Sequence, residues 1–249
     1  MFTRAASEVD ANAVVSIETT TRMNRMYRLQ RHIYDGTRKY YLLSRNQLVS
    51  ELRPAAGATV LEIGSGTGRN LVQAARLYPA ATFFGIDVST EMLASASAAI
   101  SRAGLDRQIH LRHGDATAFD SRALFGVSSF DHVMISYSLS MIPNWRRAVE
   151  AAADLVKDGG RLHIVDFGNQ ERLPKFVCAL LRRWLAIFDV APCEDLEGAL
   201  NGLASSYGAT LVFGRPFRGY AQYAVVTFPM RPCDRELGQF STRSTSMAL

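Results

Sequence analysis

The sequence predicts an α/β fold in which a mostly parallel sheet is covered by helices on both faces. Apolar strand patterns alternate with amphipathic helical patterns through the middle of the chain, and this alternation is typical of such a sheet. The predicted strands are Thr59–Ile63, Thr82–Asp87, Gln108–His113, His132–Ser136 and Arg161–Phe167. The helical patterns between them fall at Arg69–Tyr78, Ser89–Arg102 and Trp145–Lys157.

The pattern changes after the fifth strand, and this change predicts how the sheet is closed. Two more helices are expected at Phe176–Val190 and Asp195–Ser205, followed by strands at Ala209–Phe213 and Gln222–Phe228. The segment Gly214–Ala221 is too short for a helical crossover, so these last two strands pair antiparallel. The expected sheet is therefore seven-stranded and mostly parallel, with an antiparallel last strand.

Two short motifs predict helix ends. Ser89, with Met92 and Leu93 following, has the pattern of an N-cap that opens a helix. Asp158-Gly159-Gly160 has the pattern of a C-terminal end for the helix that begins at Trp145.

Composition predicts one elaborated domain with two flanking tails, which suits a chain of 249 residues. Residues 1–21 and 231–249 are polar and without pattern, and we expect them to be disordered. Residues 22–53 form a helical arm rich in arginine, tyrosine and methionine, divided into two helices at Asp35-Gly36. The main domain is expected over residues 54–230.

Charge and cysteine content limit the classes of partner. The net charge of +5 suits an anionic partner, such as a membrane surface, a nucleic acid or an acidic metabolite. The alternative is that it is an ordinary modest basic excess without a partner. The three cysteines are widely spaced and lack histidines at ligand spacing, which argues against disulfides or a structural zinc site and suits a reducing cytosol. No metal-ligand cluster, signal-peptide core or membrane-spanning apolar run is recognisable.

A loop with glycine at every second position follows the first predicted strand. It reads Gly64-Ser65-Gly66-Thr67-Gly68, with Glu62 just before it, and Asp87 ends the next strand. Glycines let the backbone approach a ligand closely, and a carboxylate in the position of Asp87 accepts two adjacent ribose hydroxyls. The sequence therefore predicts a site for an adenosine-containing cofactor.

The residues around this loop argue against a pyrophosphate. The dinucleotide fingerprint needs glycine at its sixth position, where this chain has Arg69, and the Gly-Lys-Ser/Thr of a phosphate-gripping loop is absent. A carboxylate at Glu62 repels a pyrophosphate and suits an ammonium or a sulfonium group instead.

On these residues and on His113-Gly114-Asp115-Ala116, the segment from Thr59 to Phe228 resembles the class I S-adenosylmethionine-dependent methyltransferases. The resemblance implies a Rossmann-like sheet and S-adenosyl-L-methionine as cofactor. It places the ribose on Asp87 and the adenine amino group at Asp115, although an aspartate in that position is also common as a turn cap. The cofactor-binding residues it implies are Glu62, Gly64, Ser65, Gly66, Gly68, Asp87, Val88, Asp115, Ala116 and Ser136.

In the family that the chain resembles, the acceptor site usually begins after strand four. Here that stretch, called the acceptor segment, reads Ser136-Tyr137-Ser138-Leu139-Ser140-Met141-Ile142-Pro143. It lacks the Asn/Asp-Pro-Pro-Phe/Tyr of enzymes that methylate nucleobase or amide nitrogens, which counts against a nucleic-acid substrate. Together with Tyr27-Arg28-Leu29-Gln30 and Ile33–Arg38 of the arm, this segment is similar to lipid N-methyltransferases, most of all to the enzyme of betaine-lipid synthesis. That resemblance implies three methylations of diacylglyceryl-homoserine to diacylglyceryl-trimethylhomoserine.

Three tyrosines are candidate catalytic residues. Tyr27, Tyr34 and Tyr137 are expected to form a π-faced cage around the cationic nitrogen between methylations. Two alternatives stay open from the sequence: Tyr137 packs under the cofactor, or Tyr34 bonds a cofactor carboxylate.

Two basic and aromatic segments predict membrane contact. The arm and the helix at Pro174–Val190 have the character of helices that lie in the membrane interface, so we expect a cytoplasmic protein held peripherally at the inner face of the membrane. The alternatives are a lid helix and an ordinary helix packed on the sheet. Other acceptors left open are phosphatidylethanolamine and a quinone or other small molecule, and the chain is also compatible with a non-catalytic cofactor-binding subunit.

Overall fold

The computed structural model describes residues 42–186 and 190–230. The strands are β1 (Thr59–Ile63), β2 (Thr82–Asp87), β3 (Ile109–His113), β4 (Phe130–Ser136), β5 (Val156–Phe167), β6 (Thr210–Gly214) and β7 (Ala221–Thr227). The helices are α1 (Arg45–Glu51), α2 (Arg69–Leu77), α3 (Thr90–Ala103), α4 (Ser121–Phe125), α5 (Trp145–Asp154), α6 (Lys175–Ala186) and α7 (Leu196–Tyr207). A 3₁₀ turn covers Leu139–Met141 and a tight turn covers Pro216–Gly219.

Several predicted segments lie outside the described residues. They are the two tails, the arm up to residue 41 with Tyr27 and Tyr34, and residues 187–189 of the helix predicted at Phe176–Val190.

The strands form one sheet in the order β3-β2-β1-β4-β5-β7-β6. The pairs from β3 across to β5 are parallel, and β7 is antiparallel to both β5 and β6. The predicted fold is confirmed, including the antiparallel last strand. The strand order reverses between β1 and β4, and ligands of open α/β sheets bind outside the carboxyl ends of the strands at such a point.

Helices cover both faces of the sheet, so both faces are buried. Successive side chains of a strand point to opposite faces and therefore belong to different cores. Leu61, Val133 and Ile164 belong to the core on one face, which includes residues of α5 and α7. Val60 and Met134 belong to the core on the other face, which includes residues of α1 and α2. Two covered faces explain why the parallel strands read as nearly continuous apolar runs.

One predicted helix end is wrong. The helix that begins at Trp145 ends at Asp154, and Asp158-Gly159-Gly160 interrupts β5 instead. The register jumps from Phe130↔Val156 to His132↔Arg161 across this interruption. A Cβ at Gly160 would lie 2.8 Å from the carbonyl oxygen of Asp131. Gly160 therefore lets the backbones of β4 and β5 approach closely at this point of the sheet.

The predicted N-cap at Ser89 is confirmed. The Ser89 hydroxyl accepts a hydrogen bond from the Met92 amide at 3.3 Å, and Ser89 has extended backbone angles before α3 begins. This cap satisfies one of the free amides in the first turn of the helix.

Candidate active site

The glycine loop lies at the carboxyl end of β1, where the strand order reverses. Gly64, Gly66 and Gly68 all have positive φ, at +71°, +53° and +72°. The amides of Gly64 and Ser65 both donate to the carbonyl oxygen of Ile86, each at 2.9 Å. The loop is therefore held against the end of β2 in a conformation that favours glycine.

Two of these glycines are also required by their neighbours. A Cβ at Gly64 would lie 2.5 Å from the Cβ of Ser138, which is closer than packed carbon atoms come. A Cβ at Gly68 would lie 3.0 Å from the Cβ of Ala96 on α3. The first contact packs the loop directly against the acceptor segment.

Asp87 ties this loop to the start of α3. Its Oδ2 accepts a hydrogen bond from the Gly66 amide at 2.7 Å, and its Oδ1 accepts one from the Ser89 amide at 2.8 Å. The side chain is only 8% exposed. Asp87 therefore shapes the loop through both of its carboxylate oxygens, and its contact with the ribose hydroxyls stays a prediction.

Glu62 supplies a buried carboxyl group at the end of β1. Its Oε1 accepts a hydrogen bond from Asn70 Nδ2 at 2.6 Å, and both residues are buried. Asn70 lies in the first turn of α2 and was not among the predicted site residues. A polar residue on an otherwise apolar helix face is the sequence signal that could have identified it.

The other predicted cofactor residues lie at the ends of β2, β3 and β4. Asp115 Oδ1 accepts from the Thr117 amide at 2.8 Å and from the Thr117 hydroxyl at 2.7 Å, so Asp115 does cap a turn. Both bonds fall on one oxygen, and the adenine contact of the other stays a prediction. The Val88 carbonyl oxygen lies 3.1 Å from His113 Nε2, and Ala116 packs against the core.

Two buried hydroxyls at this edge lack partners. The Oγ atoms of Ser65 and Ser136 make no hydrogen bond to any residue that the structure describes, and the side chains are 6% and 8% exposed. A buried hydroxyl without a partner is costly. The positive-φ loop, the buried carboxylate of Asp87 and these hydroxyls fit a polar adenosine-containing ligand.

Tyr137 directly follows β4 and is buried. Its backbone is left-handed, with φ +54°, and its side chain is 2% exposed. The hydroxyl donates to the carbonyl oxygen of Leu43 at 2.5 Å, and the ring meets that of Phe167 edge-on at 4.7 Å. Burial raises the pKa of the Tyr137 hydroxyl, so this group is a fixed donor.

The described contacts of Tyr137 are therefore with the protein itself. The hydroxyl donates to Leu43, while the predicted contacts of the ring with an acceptor or with the cofactor stay predictions. Because Tyr27 and Tyr34 lie outside the described residues, the cage of three tyrosines stays a prediction.

Asp166 is a site residue that sequence reasoning missed. It is fully buried at the end of β5, and it accepts hydrogen bonds from the amides of Phe167 at 2.7 Å and Ser140 at 3.2 Å. Burial raises its pKa to about 6, although these hydrogen bonds act to lower it. Asp166 holds the 3₁₀ turn of the acceptor segment. An acidic residue within an otherwise apolar predicted strand is the sequence feature that could have identified Asp166.

In the part of the chain that the structure describes, no helix is both long and apolar enough to cross a membrane. Within the same residues, no group of three or more histidine, cysteine or acidic side chains is arranged to hold a metal ion.

Comparisons with known proteins agree with this geometry. Residues 60–160 match the family described as "Methyltransferase domain". The phosphatidylethanolamine N-methyltransferase of Cereibacter sphaeroides is 34% identical over 136 residues, which cover 54% of this chain and 62% of that protein. An O-methyltransferase of Penicillium expansum is 30% identical over 152 residues, which cover 60% of this chain and 52% of that protein. The chain thus spans less than two thirds of the length of each of these relatives.

Solved structures share the fold. An O-methyltransferase family protein from Burkholderia thailandensis has a TM-score of 0.61 at 22% identity, covering 76% of this chain and 57% of that one. A phosphoethanolamine N-methyltransferase of Haemonchus contortus has a TM-score of 0.60 at 16% identity, covering 75% and 52%. Residues 60–160 therefore match a methyltransferase domain within a sheet of the Rossmann-like methyltransferase fold, and S-adenosylmethionine is its cofactor.

Proposed function

We propose that this protein is an N-methyltransferase that acts on the amine of a lipid head group. The observation that carries the proposal is the 34% identity to a phosphatidylethanolamine N-methyltransferase over 136 residues. The basic, aromatic arm and the acceptor segment support the same class of acceptor. On their resemblance to betaine-lipid enzymes, the acceptor is diacylglyceryl-homoserine, methylated three times to diacylglyceryl-trimethylhomoserine.

A second candidate is methylation of phosphatidylethanolamine itself. It is favoured by the name of that relative. The two acceptors share a primary amine and two acyl chains and differ in the head-group anion, which is a carboxylate in one and a phosphate in the other.

The chain's own residues bind and orient the cofactor. S-adenosylmethionine, when bound, supplies a methyl group on a sulfonium to a nucleophile. Asp87 would accept the ribose hydroxyls, Asp115 would accept from the adenine amino group, and Gly64 and Gly66 would let backbone approach the methionine half. The buried carboxyl group of Glu62 would favour a cationic ligand at this end of β1.

Positioning accounts for most of the expected rate. Methylation of an amine disperses charge, so orientation and exclusion of water matter more than acid–base groups. The acceptor segment is fixed for this purpose from two sides, because Asp166 binds the Ser140 amide at 3.2 Å and the Ser140 carbonyl accepts from the Ala191 amide at 2.9 Å. The amine must lose its proton first, to water or to a base.

The proposed location is the cytoplasmic face of a membrane, with the protein bound peripherally to anionic lipid. The net charge of +5 and the acyl chains of the acceptor support this location. Arginines near such a surface each contribute about 1 kcal/mol of binding.

The test is a methylation assay with labelled S-adenosylmethionine and separate vesicles that contain each candidate lipid, read by mass spectrometry. We expect label in the mono-, di- and trimethylated forms of diacylglyceryl-homoserine. Label in phosphatidylcholine and its precursors, with none in the homoserine lipid, would select the second candidate. Label confined to quinones or soluble small molecules would reject both. The Asp87→Asn variant is the matched control, because at a limiting cofactor concentration it should reduce the label in every arm.

A further inference from the structure

Helix α6 presents an uncovered apolar face. Phe176 and Leu180 are 77% and 72% exposed, and they are separated by four residues, so they lie on the same face of the helix. Large apolar side chains exposed side by side mark an interaction surface. At the other side of the helix, Leu185 is buried against the core.

The Pro216–Gly219 turn carries a third exposed apolar side chain. Phe217 is 51% exposed and has a left-handed backbone with φ +54°. The turn is bonded to the segment that leads into α6, since the Arg172 amide donates to the Arg218 carbonyl at 3.2 Å and the Gln170 amide donates to the Gly219 carbonyl at 2.8 Å.

Three arginines lie on α6, on the segment before it and on the Pro216–Gly219 turn. Arg172, Arg183 and Arg218 are exposed, and no ion pair joins any of them to a carboxylate in residues 42–186 or 190–230. The nearby acids are already engaged, because Arg215 bonds Glu171 at 3.0 Å and Glu197 at 2.8 Å. The surface therefore combines apolar side chains with excess positive charge.

This surface lies at the same edge of the sheet as the cofactor loop. Helix α6 follows the carboxyl end of β5, and β7 begins beside that end, with Ala221 in register with Phe167. The carboxyl ends of β1 and β4, which carry the glycine loop and the acceptor segment, lie at this edge because the strands are parallel.

We propose that Phe176, Leu180 and Phe217, with Arg172, Arg183 and Arg218, form a docking surface for an anionic lipid bilayer. Apolar side chains enter the acyl boundary and arginines meet the lipid phosphates. The proposal rests on the proposed lipid acceptor, which must reach the site from a membrane. A second copy of the chain is a poorer occupant, because a symmetric contact would bring arginines against arginines.

The test is flotation of the full-length protein with vesicles of phosphatidylcholine and phosphatidylglycerol in equal parts, against vesicles of phosphatidylcholine alone. We expect binding to the anionic vesicles that weakens with salt. Phe176→Ser/Leu180→Ser should reduce binding on the order of tenfold. Arg172→Gln/Arg183→Gln should reduce it about 30-fold, which corresponds to ~1 kcal/mol for each arginine.

The matched control is Arg76→Gln/Leu77→Ser. These two residues are also exposed, and Leu77 is 52% exposed, but they lie at the far end of α2, which runs back from the glycine loop to the opposite edge of the sheet. Vesicle binding by this variant should match that of the wild type. Thermal unfolding of all variants checks that they are folded.

A second measurement separates this proposal from the proposed function. Methylation of a short-chain, water-dispersed analogue of the lipid should be unchanged in the surface variants, while methylation in vesicles falls with binding. Binding that persists without any lipid methylation would leave the docking surface standing and reject the acceptor. Equal binding by wild type and surface variants would overturn the docking surface, and so would a dimer that the apolar substitutions dissociate without an effect on vesicles.

Discussion

The phenolic hydroxyl of Tyr137 donates a hydrogen bond to the main-chain carbonyl of Leu43, with 2.5 Å between the two oxygens. Tyr137 directly follows β4 and begins the acceptor segment, whereas Leu43 lies just before α1. The end of the N-terminal arm is therefore joined to the residues beside the cofactor loop. A second tyrosine, Tyr78, holds the other end of α1 through its bond to the Ser50 carbonyl at 2.8 Å.

The Tyr137→Phe substitution should lower stability and weaken use of the acceptor. It leaves the Leu43 carbonyl without its partner in a partly buried place, which costs about 1–2 kcal/mol. Because the arm is then less firmly held, the KM for the lipid acceptor should rise several-fold while the Kd of the cofactor stays unchanged. Thermal unfolding, acceptor kinetics and calorimetry with S-adenosylmethionine measure these three quantities.

Tyr78→Phe is the matched control for this prediction. It removes a hydroxyl bond to the same helix at a solvent-exposed position, where such bonds contribute little. The control should lower stability less and leave the acceptor KM unchanged. A larger change in cofactor Kd than in acceptor KM for Tyr137→Phe would show that this tyrosine acts on the cofactor.

Asp87→Asn should weaken cofactor binding by about 10- to 100-fold, because hydrogen bonds to a charged group contribute about 1.5–3 kcal/mol. The asparagine amide offers one acceptor oxygen, and the Gly66 and Ser89 amides compete with the ribose for it. Calorimetry measures the change in Kd. Asp106→Asn is the control, since Asp106 is exposed and accepts a hydrogen bond from Ser101. The cofactor affinity of this variant should equal that of the wild type.

Gly64→Ala should lower the free energy of unfolding more than an alanine at another positive-φ glycine does. Gly57 has φ +79° with no atom within 4 Å of an added Cβ, whereas the Cβ at Gly64 meets Ser138 at 2.5 Å. Both substitutions carry a backbone cost of about 1–2 kcal/mol, and only Gly64→Ala adds overpacking of about 1–3 kcal/mol. Cofactor affinity should fall only for Gly64→Ala.

Denaturant unfolding and cofactor titration compare these two variants. Adding Ser138→Gly to Gly64→Ala removes the side-chain atoms of Ser138 that the new Cβ would meet. The double variant should therefore regain part of the lost stability and part of the lost cofactor affinity. Equal losses for Gly57→Ala and Gly64→Ala would mean that the loop does not pack on Ser138.

The strands could be predicted from the sequence because each is a short apolar run bounded by turn residues. The interruption of β5 could not, since the close approach of Gly160 to Asp131 depends on how β4 and β5 pair. A Gly-Gly pair after a helical pattern has the same local sequence whether it ends the helix or kinks the strand that follows. Long-range pairing decided between them.

The cofactor loop was predictable for a different reason. Positive φ and close backbone approach leave glycine as the residue that fits, so spacing alone indicates Gly64 to Gly68. The roles of Tyr137 and Asp166 depend on contacts with Leu43 and Ser140 that lie far away in the sequence. The local sequence around a tyrosine after β4 does not distinguish a tyrosine that contacts a ligand from one that anchors the arm.

The buried pair His132 and His163 predicts how stability depends on pH. The two side chains lie on neighbouring strands with 3.2 Å between Nδ1 of His132 and Nε2 of His163. Burial, with a smaller repulsion from Arg161, lowers the pKa of His132 from 6.5 to about 4. Burial, the neighbouring histidine and Arg161 lower the pKa of His163 from 6.5 to about 3.

The sign follows from proton uptake. Below pH 6.5 the unfolded chain binds protons at these histidines while the folded protein stays neutral there, so unfolding is favoured as pH falls. Between about pH 7.5 and about pH 5, each histidine lowers the free energy of unfolding by about 2 kcal/mol. Asp166 acts in the opposite direction, because its raised pKa of about 6 means that acidification restores stability.

Unfolding by denaturant at about pH 7.5 and about pH 5 should therefore show a net loss of about 2–3 kcal/mol for the wild type. His163→Leu should reduce that loss, because one proton fewer is taken up on unfolding, whereas Asp166→Asn should increase it. Asp131→Asn is the control, since the lowered pKa of Asp131, about 2, places its own contribution below pH 3.8. Wild-type stability that stayed constant or rose on acidification would show that the histidine pair is protonated in the folded protein, and the neutral hydrogen bond between the two strands would then be wrong.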